Sequence, residues 1–215
     1  MYGGDRRPTI EGMTRPAGRG HAGPPPPAVR TREVRDRALF DLDDGPVTPS
    51  NRAELTALAG LLNVLLASLV VSSLQYEQHA LLVRAPADRA VADFLAACAD
   101  RDRGCARRLA ARIGQLGFAA DHDPQHLAAR SRVAFQTFPD GDLAGIVTQD
   151  LVGTRILVQT LQEAVRWVGD DDPTTRRLLE RLLEEKESQA ARLSAPSSAA
   201  SRTATGDRSP TTARP

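Results

Sequence analysis

Apolar residues recur along this chain in alternating steps of three and four, in four separate stretches, and each stretch fits one face of a helix. The first runs Leu55, Leu58, Leu62, Leu65, Leu69, Ser72, Tyr76, His79 and Val83. Ser50 is expected to cap it, with Glu54 near the capping-box position. The second begins near Pro86 and carries Val91, Leu95, Cys98, Asp102, Cys105, Leu109, Arg112 or Ile113, and Leu116, ending at Gly117. The third spans about Gly141 to Val168, through Val147, Leu151, Thr154, Val158, Leu161 and Val165. The fourth follows Asp172, an expected N-cap, and Pro173, suited to the first helical position; its stripe is Leu179, Leu182, Lys186, Gln189 and Leu193.

Four helices with one apolar side each can close around a shared core. The first two are joined by a few residues around Pro86, and the last two by Gly169–Asp172. Between the second and third lie residues 118–141, long enough to return along the bundle and set the third helix parallel to the second. The expected fold class is therefore all-α, a four-helix bundle with a long crossover between helices 2 and 3.

Composition sets the borders. Residues 1–50 are rich in Arg, Pro and Gly and read as a disordered tail and linker with one docking turn near its end. Residues 51–193 form the bundle, and 194–215 form a second low-complexity tail of Ser, Thr, Ala, Pro and Arg. The net charge of +1 conceals a segregation, since residues 1–37 carry eight Arg against four acids while the bundle is close to neutral. Flexible basic arms release phosphate counterions, which makes DNA a candidate partner of the N-terminal tail; interleaved acids and the lack of Lys there favour a solvated linker.

Cys98 and Cys105 lie seven residues apart, about 10 Å along a helix, too far to bridge, and reduced thiols in a cytoplasmic protein are expected. No signal peptide is expected. The apolar run Leu61–Val71, broken by Asn63 and Ser68, is shorter than a membrane span requires, and no membrane association is expected.

The segment from Leu61 to His79 resembles the first helix of bacterioferritins and related bacterial ferritin-like proteins, including the DNA-protecting proteins of starved bacteria. Ala111–Gly117 is similar to the end of their second helix, Asp150–Ile156 to the third, and Asp170–Leu183 to the start of the fourth. The resemblance covers roughly 56–193 and implies the ferritin-like fold.

That family holds two irons with a Glu from helix one, a Glu-x-x-His pair from helix two, a Glu from helix three and a second Glu-x-x-His pair from helix four. Laid on this chain without gaps, the pattern falls on Leu69, Asp102, Cys105, Thr154, Lys186 and Gln189. Only Asp102 keeps a carboxylate. Glu184 and Glu187 also form an i, i+3 pair and are the fallback iron ligands, but sliding them inward would turn Leu179 and Leu182 out of the core, at about 1.5–3 kcal/mol each. Iron wants oxygen and imidazole ligands, and an ammonium at the same depth repels it. Asp102 and Lys186 are therefore expected to pair where metals would sit, with Thr154, Gln189 and Tyr76 supplying the remaining hydrogen bonds.

Cys98, Cys105, His79 and Asp102 offer a soft-metal alternative such as zinc, against small core residues as the plainer reading. His122 and His126 read as solvated loop residues. Haem is not expected, because no Met occurs on the four helices. The leading functional expectation is a structural or partner-binding module that has lost its ferroxidase centre, with no cofactor. It would self-associate or co-assemble with a ferritin-like relative. The alternatives are iron storage and oxidation through Glu184 and Glu187, and DNA binding through the tails.

Overall fold

The computed structural model describes residues 31–40, 42–139 and 142–195. Most of both expected tails, and the basic arm considered for DNA, lie outside the described residues. The described chain comprises α1 (Thr31–Ala38), α2 (Leu55–Leu82), α3 (Arg89–Gln115), α4 (Pro124–Arg130), α5 (Leu143–Val168) and α6 (Pro173–Ser194), with short 3-10 turns at Leu42–Asp44 and Pro86–Asp88. The four long helices α2, α3, α5 and α6 are the four expected from the periodicity.

Two apolar clusters fill the bundle. One gathers Leu58, Leu62 and Leu69 of α2, Cys105, Leu109 and Ile113 of α3, Leu157 and Leu161 of α5, and Leu179 and Leu182 of α6. The other gathers Tyr76 of α2, Leu95 and Cys98 of α3, Ile146 of α5 and Leu193 of α6. The first cluster takes the N-terminal half of α2 and α6 but the C-terminal half of α3 and α5. Helices α2 and α3 are therefore antiparallel, α5 runs parallel to α3, and α6 runs antiparallel to α5. The long crossover produces this order by travelling the full height of the bundle.

The crossover is fastened to α2 by polar side chains set into that otherwise apolar helix. Asn63 Oδ1 accepts from Asp121 N at 2.9 Å, Ser68 Oγ from Arg132 N at 2.9 Å, and Gln75 Oε1 from Gln136 N at 2.9 Å. His79 Nε2 lies 3.3 Å from the Gln136 carbonyl oxygen. Helix α2 is long and apolar enough to cross a bilayer by length and composition alone, yet over half of that apolar window is buried inside the bundle. Four of the polar residues that interrupt its hydropathy, Asn63, Ser68, Gln75 and His79, hold the crossover.

Several local expectations are corrected. Ser50 does not cap α2. Asn51 Oδ1 accepts from Ala53 N at 3.0 Å and turns the chain there, and Glu54 is the N-cap, accepting from Thr56 N at 3.0 Å and Ala57 N at 2.6 Å. The backbone N–H of Ala57, then that of Thr56, holds the Glu54 carboxyl below its ordinary pKa.

Within the segment read as a tail, Thr31–Ala38 is helical, with its described side chains exposed. Arg32 and Asp36, and Glu33 and Arg37, stand at the i, i+4 spacing that supports an isolated helix. Docking comes after the 3-10 turn rather than in it. Val47 and Ala53 pack on the first cluster, and Arg52 N donates to Asp171 O at 3.0 Å.

The crossover contains α4, which had not been expected. Asp123 caps it through Gln125 N at 2.9 Å, and Pro124 opens it. The Asp-Pro step is the one that opens α6, where Asp172 accepts from Thr175 N at 3.0 Å as expected. In α5 the expected Thr154, Leu161 and Val168 are buried, whereas Val147, Leu151, Val158 and Val165 are half-buried and their neighbours Ile146, Asp150, Leu157 and Ala164 point inward instead.

Candidate functional site

Between the two apolar clusters every long helix contributes polar side chains to one layer. Helix α2 supplies Ser72, α3 Asp102, α5 Thr154, and α6 Lys186 and Gln189, with Tyr76 on its edge; none is more than 4% exposed. The apolar stripe on either side fixes each rotation, since Leu182 and Leu193 bracket Lys186 and Gln189 at three- and four-residue steps. Of the chain's 28 Lys and Arg residues, one alone is lysine, and it is this one.

The Lys186 ammonium donates to Asp102 Oδ1 and, at 2.8 Å, to Gln189 Oε1. It also lies 5.9 Å from the centre of the Tyr76 ring. Burial pushes the Asp102 carboxyl above its ordinary pKa, opposed by the charge and hydrogen bond of Lys186 and by the Ser72 hydroxyl. The expected ion pair is formed, with Gln189 bonded to it. Tyr76 contributes its ring face rather than its hydroxyl. That hydroxyl lies 2.5 Å from Thr154 Oγ1, which in turn donates to the Asp150 carbonyl at 2.8 Å, so Thr154 bonds to Tyr76 and its own helix and not to the ion pair.

A second buried polar cluster adjoins the layer, and sequence reasoning missed half of it. His79 Nδ1 lies 2.8 Å from Asp150 Oδ1, both side chains fully buried, and Gln75 Nε2 donates to the same oxygen at 3.2 Å. His79 lies on the expected apolar stripe of α2; its partner Asp150 is absent from the expected stripe of α5. The signal was available, because Asp150 precedes Thr154 by one turn and must share its inward face.

The remaining candidates scatter. Glu184 is exposed, and exposed Glu187 accepts a hydrogen bond from Gln162 at 3.3 Å, so the fallback iron ligands stand outside the bundle. Cys105 Sγ donates to Glu185 Oε2 at 3.3 Å and accepts from Arg108 at 3.1 Å, while Cys98 faces Arg101 at 3.9 Å. His79 is spent on Asp150. The zinc alternative is thus not assembled, and no group of three or more His, Cys, Asp or Glu poised for a metal occurs among the described residues. Burial pushes both thiols up to about 11, with nearby carboxylates adding to it. His126 pairs with Asp121 at 3.0 Å on exposed α4, and His122 is exposed; they form no ligand pair.

Residues 59–198 match the ferritin-like domain of the Ferritin family. This chain belongs to the ferritin-like family. Among solved structures it is similar to the bacterioferritin-related protein of Bacteroides fragilis, described as a dodecameric thioferritin. The identity is 22%, covering 71% of this chain and 91% of that one, with a TM-score of 0.67. The Dps protein of Vibrio cholerae, placed in a superfamily of ferritin-like diiron-carboxylate proteins, is 19% identical over 66% and 89% of the two chains, at a TM-score of 0.62. DpsA14 of Streptomyces coelicolor is 25% identical over 65% and 83%, at 0.61. The chain matches no curated protein sequence.

The ferritin-like family implies a dinuclear iron site in the polar layer, and the donor set here does not fit it. Leu69 offers no donor, Thr154 is committed to the α5 backbone and Tyr76, and the ammonium of Lys186 is bonded to the layer's one carboxylate, Asp102. Two irons require bridging carboxylates and imidazoles, and a cation already held there opposes a second. The layer's chemistry is that of an internally neutralised ion pair closed to solvent.

Proposed function

We propose that this ferritin-like protein has lost the ferroxidase reaction and serves as a structural or partner-binding subunit, self-associating or co-assembling with a ferritin-like relative. The single observation that carries the reading is the Lys186 ammonium bonded to Asp102 at the centre of the bundle. An amine there supplies the positive charge that a metal would bring, and it needs no loading or oxidation. The dodecameric assembly of the Bacteroides fragilis relative supports self-association. So do the half-exposed apolar side chains Leu74, Phe135 and Trp167 on the faces of α2, the crossover and α5, because large apolar groups left on a bundle surface favour burial against another chain.

The test is to purify the full chain from iron-replete cells, measure its metal content by mass spectrometry, and follow iron(II) oxidation optically. Sub-stoichiometric iron and a rate equal to the protein-free control are expected. Two irons per subunit, lost on Asp102→Asn, would overturn the reading. Light scattering coupled to size exclusion reads the assembly state in the same preparation.

A further inference from the structure

Helices α3 and α6 meet at an open groove of about 530 Å³ on the bundle surface, lined by Arg108, Arg112, Gln115, Thr174, Arg177 and Arg181, with no carboxylate among its lining residues. Two of these guanidiniums are held in place from behind. Arg112 donates to Asp172 Oδ2 at 2.7 Å, to Thr175 Oγ1 at 2.8 Å and to Gln115 Oε1 at 3.1 Å. Arg108 donates to Glu185 at 2.7 Å. The other two, Arg177 and Arg181, stand one turn apart on α6, exposed, and neither makes an ion pair with a described residue.

This arrangement departs from the rest of the surface. The neighbouring Arg176 is bracketed by Asp170 at 2.6 Å and Glu180 at 2.8 Å. A groove of similar size on the other side of α6, which Arg177 and Arg181 also border, carries Asp170, Glu180 and Glu184, and one along α5 carries Glu163. Like charges at i, i+4 on a helix repel, and Arg177 and Arg181 stand at that spacing. On their α3 side Arg177 and Arg181 border a concavity that already holds two more guanidiniums. Asp172 and Glu185 are bonded to Arg112 and Arg108, and the lining of this groove sets no carboxylate against Arg177 and Arg181.

We propose that the α3–α6 groove binds a phosphoryl oxyanion, either inorganic phosphate or a terminal phosphate of a longer chain. Guanidinium forks donate pairs of parallel hydrogen bonds that match the spacing of phosphoryl oxygens, and the two anchored arginines enter the interaction with their rotamer entropy already spent. Gln115, whose carbonyl oxygen is occupied by Arg112, and Thr174 add an amide and a hydroxyl to the lining. The site lies outside the polar layer and does not depend on the loss of iron chemistry.

The experiment titrates the full chain with inorganic phosphate and with tripolyphosphate by calorimetry at constant ionic strength, against acetate as a control anion, and repeats it on R177Q/R181Q. Because both arginines are exposed, the variant should keep the parent melting temperature, and because it retains both tails, any lost affinity belongs to the groove. Saturable binding of at least one phosphoryl anion, weakened about tenfold or more in the variant, is expected. Tripolyphosphate binding much more tightly than phosphate would identify a phosphate chain as the source, and equal affinities would identify the single ion. No saturable binding of either up to about 10 mM, or equal affinity in the variant, would overturn the proposal.

Discussion

Lys186 reaches from α6 to the face of the Tyr76 ring on α2, 5.9 Å from its centre, while its ammonium bonds Asp102 on α3. One side chain thus ties three helices at mid-height, between two apolar clusters that share no polar group. The ring face favours the cation, the carboxylate neutralises it, and Gln189 fills a further donor position. Each partner makes the burial of the other tolerable.

Replacing Lys186 by Met should therefore destabilise the fold by about 3–5 kcal/mol, because Asp102 is left charged and unpaired in the core. The double variant Asp102→Leu with Lys186→Met should restore most of that loss. Urea unfolding of the parent, both single variants and the double variant measures the coupling. Additive losses in the double variant would refute a buried pair.

The pH response of the single variant has a definite sign. Burial already raises the Asp102 carboxyl, and without Lys186 nothing cationic opposes it. A raised folded pKa means the native state binds a proton that the unfolded state releases, so stability falls as pH rises from the ordinary carboxylate range through the folded value. Lys186→Met should accordingly gain stability relative to the parent on acidification from neutrality, seen in melting temperatures recorded across that range.

Acid sensitivity of the parent should trace in part to Asp172. Its burial raises the carboxyl, but the hydroxyl and backbone N–H of Thr175, together with Arg112, outweigh it and hold the group below its ordinary value. The stability it contributes is fully present above the unfolded pKa and is lost as pH falls through the folded one. Asp172→Asn should lower the neutral-pH stability by about 2–4 kcal/mol and flatten the acid limb of the stability curve.

The thiols give a labelling test. With both pushed up to about 11, only about one part in a thousand of either is thiolate near pH 8, and both are buried. Ellman's reagent should read no thiol in the native protein and two after unfolding. The single lysine serves the same purpose, because acylation of the native chain should spare Lys186 until the bundle opens.

His79→Leu should release the crossover. It leaves Asp150 buried without its imidazole and removes the contact to the Gln136 carbonyl, at about 2–4 kcal/mol. Hydrogen exchange should quicken most at the amide of Gln136, which Gln75 otherwise holds, while the α5–α6 hairpin end at Gly169 remains protected.

The amino-acid pattern by itself determined the four long helices, their order, the parallel run of α3 and α5 and the inward set Asp102, Cys105, Lys186 and Gln189. A helix in a bundle has one apolar stripe, and three- and four-residue steps leave little freedom in which residue joins it. Capping was legible where a side chain acts on its own backbone, as at Asp172, and was misread at Ser50, where Asn51 turns the chain first. What only the tertiary structure decided is which polar groups meet. Asp150 finds His79 from 71 residues away, Gln75 bridges Asp150 to Gln136, and Asn63 and Ser68 turn from interruptions of an apolar run into anchors of the crossover. Hydrogen bonds are short-ranged and directional, so their partners are set by the path of the crossover and the mutual rotation of packed helices, neither of which is written in the period of a single segment.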